Sequence, residues 1–182
     1  MRQIIIVVGV IASVAFAGRL GIGASVSGQQ SCDYQTLTIA QLPGIYYGGE
    51  FHIQAEALPH CYIEPAVVCL NNPQYAGPGI GMGLRLNIQP RIGRFFLAPF
   101  FGVEGMLVLY NDDLDVNTAL QSNRMIEYIE TATARTFGSG FAGVSLYLGK
   151  AISIDCNYRY LSSNQGIGVE MTTVGLNWYI NW

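Results

Sequence analysis

Charged side chains are scarce in this chain. Asp, Glu, Lys and Arg make up only 12% of its 182 residues, and lysine occurs once, at position 150. A soluble domain of this size usually carries about 25% charged residues. The shortage excludes a disordered chain and a nucleic-acid-binding protein, and it argues against an ordinary cytosolic enzyme. Because 51% of the residues are hydrophobic, we expect something other than water to cover much of the molecule.

A hydrophobic run long enough for a membrane-spanning helix is also lacking. The apolar run from Ile4 to Phe16 is too short to cross a bilayer comfortably. It follows a short positive start, and a small-x-small pattern ends at Ala17. This arrangement predicts a cleaved secretory signal over residues 1–17 and a mature domain over 18–182, with an uncleaved anchor or a buried strand as the alternative. The mature chain has eight basic against twelve acidic side chains, a net charge of −4.

The mature chain alternates apolar and polar residues with period two, which is typical of β-strands with unlike faces. The connections between the alternating segments are short and long in turn, so short turns and long loops lie at opposite ends. This predicts an all-β fold, an eight-stranded antiparallel up-and-down transmembrane β-barrel with short periplasmic turns and longer extracellular loops. The predicted strands are residues 18–27, 44–58, 61–70, 79–89, 94–110, 134–148, 151–161 and 167–182.

Three segments are ambiguous. Phe96–Phe101 carries large residues on both faces around Pro99, which predicts an aromatic girdle at the turns together with a plug in the lumen. Near Phe137–Phe141 the bulky residues fall on the opposite parity from the rest of their strand, so either a bulge lies near Gly143 or the phenylalanines point inward. Asp115–Tyr128 predicts either a short helix in the longest loop or an extension of the sixth strand.

Alternation alone does not decide which face is wet, because a secreted lipocalin is also an eight-stranded barrel, with its apolar face inside. Here the polar face is dominated by Gly, Ser, Asn, Gln and Thr rather than by charge. The apolar face is aliphatic at strand centres, with Tyr and Trp towards strand ends, as anchoring at a membrane interface requires. The chain also ends within an amphipathic strand. These features favour a membrane barrel over a lipocalin-like binder of small hydrophobic molecules.

The chain resembles the small eight-stranded outer-membrane barrels of the OmpA/OmpX type, grouped with porin-like and opacity-like surface proteins. The resemblance is carried by the signal, the opening strand Arg19–Gly23, the segments Phe141–Leu146 and Asn157–Tyr160, and an aromatic closing strand. It implies a monomer in the outer membrane of a Gram-negative-type bacterium, in contact with lipid and lipopolysaccharide. It also implies that the barrel-assembly machinery reads an aromatic signal formed by Trp178, Tyr179 and Trp182.

Several charged residues fall on the lumen parity of the predicted strands. Eight strands leave room only for side chains inside the barrel, so these charges must pair with one another. We expect an acid–base network around Arg85, which Arg159 extends towards the outer rim. It acts either as a closed polar plug that fixes register or as a gate for small ions. The predicted network consists of Glu50, His52, Arg85, Glu104, Asp155 and Arg159.

Catalysis is not expected. Some small outer-membrane barrels modify lipid A with a Ser–His relay near the outer rim, but His60 falls in a turn and His52 in the lumen. No cofactor is predicted either. Asp113–Asn117 imitates the start of a calcium loop, but Thr118 and Arg124 stand where Gly and Glu are needed. A solvated acidic loop is favoured over one that binds divalent cations weakly.

The four cysteines of an exported chain suggest a disulfide. Cys32 falls in the first outer loop and Cys69 at the outer end of the third strand, so a bridge between them is predicted as a possibility. The alternative is that all four cysteines are small apolar filler. Cys61 and Cys156 are expected to remain lipid-facing thiols, and the spacing and placement of the four cysteines exclude a zinc site built from all of them.

The predicted role is structural or interactive: membrane integrity, adhesion or host contact through the extracellular loops. The loop Asn111–Thr133 is the main candidate for a host or cell-surface ligand, because it exceeds the length needed to close a hairpin. A narrow porin-like channel for small solutes or ions is the alternative.

Overall fold

Eight antiparallel strands close into a barrel in the computed structural model, which describes residues 19–32, 46–71, 75, 77–90, 96–163 and 168–180. The strands are β1 (Leu20–Cys32), β2 (Tyr46–Leu58), β3 (Cys61–Leu70), β4 (Gly79–Ile88), β5 (Leu97–Tyr110), β6 (Thr133–Leu148), β7 (Ile152–Ser163) and β8 (Gly168–Ile180). Two short helices, α1 (Val116–Gln121) and α2 (Met125–Thr131), lie between β5 and β6. Within the described part of the chain, no helix has the length and hydropathy needed to cross a lipid bilayer.

Each strand pairs with the next one along the chain, and β8 pairs back onto β1, from Leu20 opposite Ile180 to Cys32 opposite Gly168. The predicted fold class is confirmed. The short connections lie at one end, which we call the turn end, and include His60 and Gly149, both with positive φ. The helices lie at the opposite end, which we call the loop end.

Side chains alternate between the lumen and the outside along every strand. The outward positions carry large apolar residues that remain exposed, such as Met82 (68% exposed) and Trp178 (63%). We call this surface the outer belt; it includes Val26, Phe51, Val67, Met82, Leu84, Leu86, Phe101, Val103, Leu107, Val144, Val174, Leu176 and Trp178. The inward positions hold nearly all of the buried polar residues, so the barrel is apolar outside and mixed inside.

The ambiguous segments of the sequence have clear structures. Phe141 is buried in the lumen, Phe137 packs against buried lumen residues, and β6 pairs with β5 and β7 without a register shift, so there is no bulge at Gly143. Phe100 lies inside the barrel, whereas Phe96 and Phe101 are exposed outside, as a plug with an outer girdle predicts. The loop after β5 folds into α1 and α2 rather than into one helix or a longer strand.

The lumen has two zones of different chemistry. Its loop half is filled by a cluster of buried, mostly apolar side chains, which we call the apolar plug: Ala66, Val68, Leu70, Met106, Val108, Tyr110, Leu161 and Met171. In this half the lumen face therefore carries apolar side chains and not the small polar residues that dominate that face elsewhere. At its upper edge Tyr75 stacks on Tyr110 with ring centroids 4.5 Å apart, and Arg135 Nε donates to the Tyr75 hydroxyl at 2.6 Å. Charged residues occupy the next zone of the lumen, on the side of the plug that faces the turn end.

Candidate functional site: the charged ring of the lumen

Two arginines and two glutamates meet in the lumen below the apolar plug. Arg85 Nε donates to Glu104 Oε1 at 2.7 Å, and the Arg85 guanidinium also contacts Glu50. From the other side, Arg159 Nη1 lies 3.0 Å from Glu50 Oε2 and 3.1 Å from Glu104 Oε2. Each arginine thus bridges both carboxylates. We call these four residues the charged ring.

The strand register explains why these four residues meet. Arg85 on β4 lies directly opposite Glu104 on β5, with both side chains on the lumen parity. Glu50 on β2 and Arg159 on β7 reach the same level from other parts of the wall. Arg85, Glu104 and Arg159 are almost fully buried. Isolated charges in such a place would cost several kcal/mol each, but two cations and two anions in mutual contact compensate one another.

A third carboxylate, Glu64, flanks the charged ring and was left out of the predicted network. Its Oε1 accepts from Gln54 Nε2 at 2.6 Å and from Asn87 Nδ2 at 2.9 Å, while Oε2 lies 3.7 Å from Arg85 Nη1. Glu64 was also recognisable from its lumen parity and its position opposite Arg85. The amide partners carry no charge, so charge patterning did not identify them.

Two predicted members of the network have partners other than arginine. His52 Nε2 lies 2.7 Å from Asn177 Oδ1, and His52 Nδ1 lies 3.4 Å from Glu50 Oε1. Asp155 accepts from Ser153 Oγ at 2.9 Å and from Asn177 Nδ2 at 2.7 Å. Asn177 therefore links the two residues, and Asp155 belongs to a hydrogen-bonded layer beside the charged ring.

Little free space remains at this level. The cavity beside the charged ring has a volume of about 20 Å³, which is roughly the space of one water molecule. Towards the turn end, Phe100 and Phe141 pack with ring centroids 6.2 Å apart. Below them the Arg19 guanidinium lies 3.5 Å from the centroid of the Tyr179 ring, a cation–π contact. Apolar, charged and aromatic layers thus fill the lumen in turn.

The remaining predicted site residues lie apart from the charged ring. His60 is exposed in the β2–β3 turn. Of the predicted assembly signal, Trp178 points outward and Tyr179 inward, while Trp182 lies outside the described residues. Among the residues described, no group of three or more His, Cys, Asp or Glu side chains is arranged to hold a metal ion.

The cysteine predictions have a similar status. Cys69 is exposed and has no disulfide partner among the described side chains, and the side chain of Cys32 lies outside them, so the bridge between the two stays a prediction. Cys61 and Cys156 are free thiols on the outward parity, as expected.

A charged pair lies outside the barrel wall, at the start of α2. Arg124 Nε donates to Glu127 Oε2 at 2.7 Å, and both side chains are exposed. This hydrogen bond lowers the pKa of Glu127 and raises the pKa of Arg124. Burial raises the pKa of Tyr128, whose ring packs under the loop helices.

Solved structures share this architecture. Neisserial surface protein A matches with a TM-score of 0.61 and 9% identity, over 87% of this chain and 96% of that one. The N-terminal barrel of Pseudomonas aeruginosa OprF matches with a TM-score of 0.55 and 12% identity, over 90% and 99%. The fold is that of the small eight-stranded outer-membrane barrels.

A third match extends the same likeness. The attachment invasion locus protein Ail of Yersinia pestis, solved with the heparin analogue sucrose octasulfate, has a TM-score of 0.51 and 10% identity, over 91% of this chain and all of that one. No protein-family model matches the sequence, and no curated protein matches it. Because the identities are this low, the shared barrel fold is what these matches establish.

Proposed function

We propose that the protein is a non-catalytic barrel of a bacterial outer membrane, with a structural and surface-contact role. The observation that carries the proposal is the outer belt on a closed barrel. A continuous apolar surface that surrounds the barrel is unfavourable in water, where it would drive association. In lipid it is what a spanning barrel requires, because the closed sheet satisfies its own backbone hydrogen bonds. The shared fold with known outer-membrane barrels supports the same environment.

The proposed orientation places the turn end in the periplasm and the loop end outside the cell. The loop over residues 111–132 then faces the exterior and carries five acidic side chains against one arginine: Asp112, Asp113, Asp115, Glu127, Glu130 and Arg124. This balance disfavours a sulfated polyanion such as the ligand in the Ail structure. A polar or cationic surface suits this loop better as a partner.

Gel mobility with and without boiling tests the membrane assignment. Residues 18–182 are refolded in detergent and compared with the same chain diluted into plain buffer. We expect a heat-dependent mobility shift that appears only with detergent, because a barrel whose outer belt is covered by detergent resists unfolding until it is heated. A folded, soluble protein in plain buffer would contradict the proposal and would favour a carrier of small hydrophobic molecules.

A narrow channel is the second candidate, favoured by the charged ring at the level where ions would pass. The apolar plug and the small cavity oppose it, because an ion would have to shed its water beside apolar side chains. We therefore expect single barrels in planar bilayers to show no steady conductance. Open steps at neutral pH from the unmodified protein would replace the structural role with the channel.

A further inference from the structure

The two loop helices pack on the outside of the barrel wall and not over its mouth. Val116 and Ala119 of α1, Tyr128 of α2 and the preceding Leu114 are buried and form a cluster with Ile80 of β4 and Leu109 of β5. Ile80 and Leu109 lie opposite each other on adjacent strands and are on the outward parity. The Tyr128 hydroxyl donates to the Leu109 carbonyl at 3.0 Å. The helices are thus fixed to the outer surface of β4 and β5.

The loop that carries the helices is locally ordered. The Asn111 side chain accepts from the backbone N–H groups of Asp113 and Leu114, both at 2.9 Å, and donates to Thr131 Oγ1 at 2.7 Å. Asp115 caps α1 by accepting from the backbone N–H of Asn117 at 3.1 Å. Because both ends of the loop are tied together, the helices present a fixed surface.

Each helix leaves apolar side chains exposed beside its buried face. In α2, Met125 and Tyr128 face the barrel, whereas Ile126 (75% exposed) and Ile129 (53%) lie one position further along and are unpacked. In α1, Leu120 follows the buried Ala119 and is 59% exposed. At 100° per residue these side chains flank the buried stripe. The apolar face of each helix is therefore wider than the part that packs on the wall.

The exposed face is continuous with the outer belt. Ile80 and Leu109, on which the helices pack, are two residues from Met82 and Leu107 on the same outward faces, and both of those belong to the outer belt. The helices therefore begin where the outer belt ends. A lipid phase that covers the outer belt reaches this level, whereas a separate protein partner would have to bind at the edge of that lipid.

Charge on α2 is consistent with this position. Glu127 projects from the side of α2 opposite the apolar arc and pairs with Arg124 in solvent, while Glu130 lies at the edge of that side, next to Ile126. A short amphipathic helix with one apolar and one charged side suits the boundary between headgroups and acyl chains.

We propose that the loop helices rest on the outer leaflet, with Leu120, Ile126 and Ile129 inserted at the boundary between lipid headgroups and acyl chains. This inference rests on the proposed membrane location. The outer loop would then be held flat against the membrane surface, and its acidic side would face the exterior.

Tryptophan quenching by brominated lipid tests the inference. The full mature chain and its Ile126→Trp variant are refolded into phosphatidylcholine vesicles with and without bromine near the carboxyl end of the acyl chains. We expect the fluorescence added by the variant to be quenched, since the new indole would lie at bromine depth. Leu120→Trp should behave alike, and the matched control Glu127→Trp, on the charged side of the same helix, should escape quenching.

The outcomes separate the two proposals. The parent contains Trp178, which lies in the outer belt, and Trp182, so an unquenched parent would overturn the membrane location itself. A quenched parent with unquenched Ile126→Trp and Leu120→Trp would overturn only the inference about the helices. Unquenched but blue-shifted emission that depends on protein concentration would assign the face to a second copy of the chain. Heat-dependent gel mobility of each variant confirms that the barrel has folded.

Discussion

The two halves of the lumen are filled by different kinds of side chain, apolar ones in the plug and charged ones in the ring. The apolar plug fills space with side chains that need only fit one another, so its contacts are many and individually weak. The charged ring fills space with groups that each require specific partners, because an unpaired charge there is very costly. The plug therefore depends on volume, and the charged ring depends on register. A slip of one residue between β4 and β5 would remove Arg85 from Glu104.

The largest expected effect is on the charged ring. Arg85→Ala removes a cation from between Glu50 and Glu104 and leaves buried carboxylates without compensation. We expect a loss of about 3–5 kcal/mol in the free energy of unfolding, measured by urea titration of the refolded barrel. The control Arg124→Ala removes an arginine of an exposed pair and should leave the midpoint nearly unchanged. Equal midpoints for the two variants would mean that the lumen carboxylates are hydrated.

The apolar plug should respond to lost volume. Leu161→Ala truncates a fully buried side chain of the plug, and we expect a loss of about 2–4 kcal/mol from transfer and cavity terms. Leu120→Ala, at an exposed leucine of α1, is the matched control and should have a much smaller effect. The Leu161→Ala barrel should still show no conductance in planar bilayers, because the charged ring continues to block the lumen. Open steps from this variant would mean that the plug alone seals the lumen.

The wall itself should tolerate added atoms outside but not inside. A Cβ at Gly81 would lie 2.1 Å from the Leu107 carbonyl oxygen, whereas one at Gly105 would have no neighbour within 4 Å. We expect Gly81→Ala to cost about 1–3 kcal/mol, as overpacking does, and Gly105→Ala to be neutral. Urea midpoints of the two variants provide the comparison. A neutral Gly81→Ala would show that β4 and β5 can separate slightly.

The smallest effect is expected outside the barrel. The hydrogen bond from Arg124 lowers the pKa of Glu127, so its stabilising contribution is present above the ordinary pKa of a glutamate and is lost as the pH falls through the lowered value. Glu127→Gln should therefore differ slightly from the parent at neutral pH and match it in acid. Urea midpoints of both proteins across that range measure this. A difference that grows in acid would contradict the sign of the pKa shift.

Strand order and facing could be predicted from the sequence, because the period of two is a property of the backbone and most of the outward residues are apolar. Arg85 and Glu104 could also be identified as partners, since two opposite charges that point into a narrow lumen near mid-strand have few other groups with which to pair. Asp155 lies in the lumen, but parity gives only the face of a residue and not its height relative to strands across the lumen, so its hydrogen-bond partners could not be predicted. Its neighbours Ser153 and Asn177 offered hydrogen bonds nearer than either arginine.

The apolar plug was predictable in principle and was missed. Ala66, Val68 and Leu70 on β3 share the inward parity of Glu64, and Met106 and Val108 on β5 share that of Glu104. Both faces of these strand halves are apolar, so the alternation of apolar and polar residues does not distinguish the lumen face from the outer face there. The packing of the loop helices on the wall was beyond pattern analysis, because it depends on which outward residues lie at the rim.

The closure of β8 on β1 has a consequence for how the molecule is made. Seven strand pairings join segments that follow one another, so they can form as soon as each hairpin exists. The eighth joins residue 20 to residue 180, and it has to wait until both ends of the sheet are present. Until then the growing sheet has two open edges, each able to recruit a foreign strand. Only a chain that includes β8 can therefore close the sheet, and a chain interrupted before β8 keeps two unpaired edge strands.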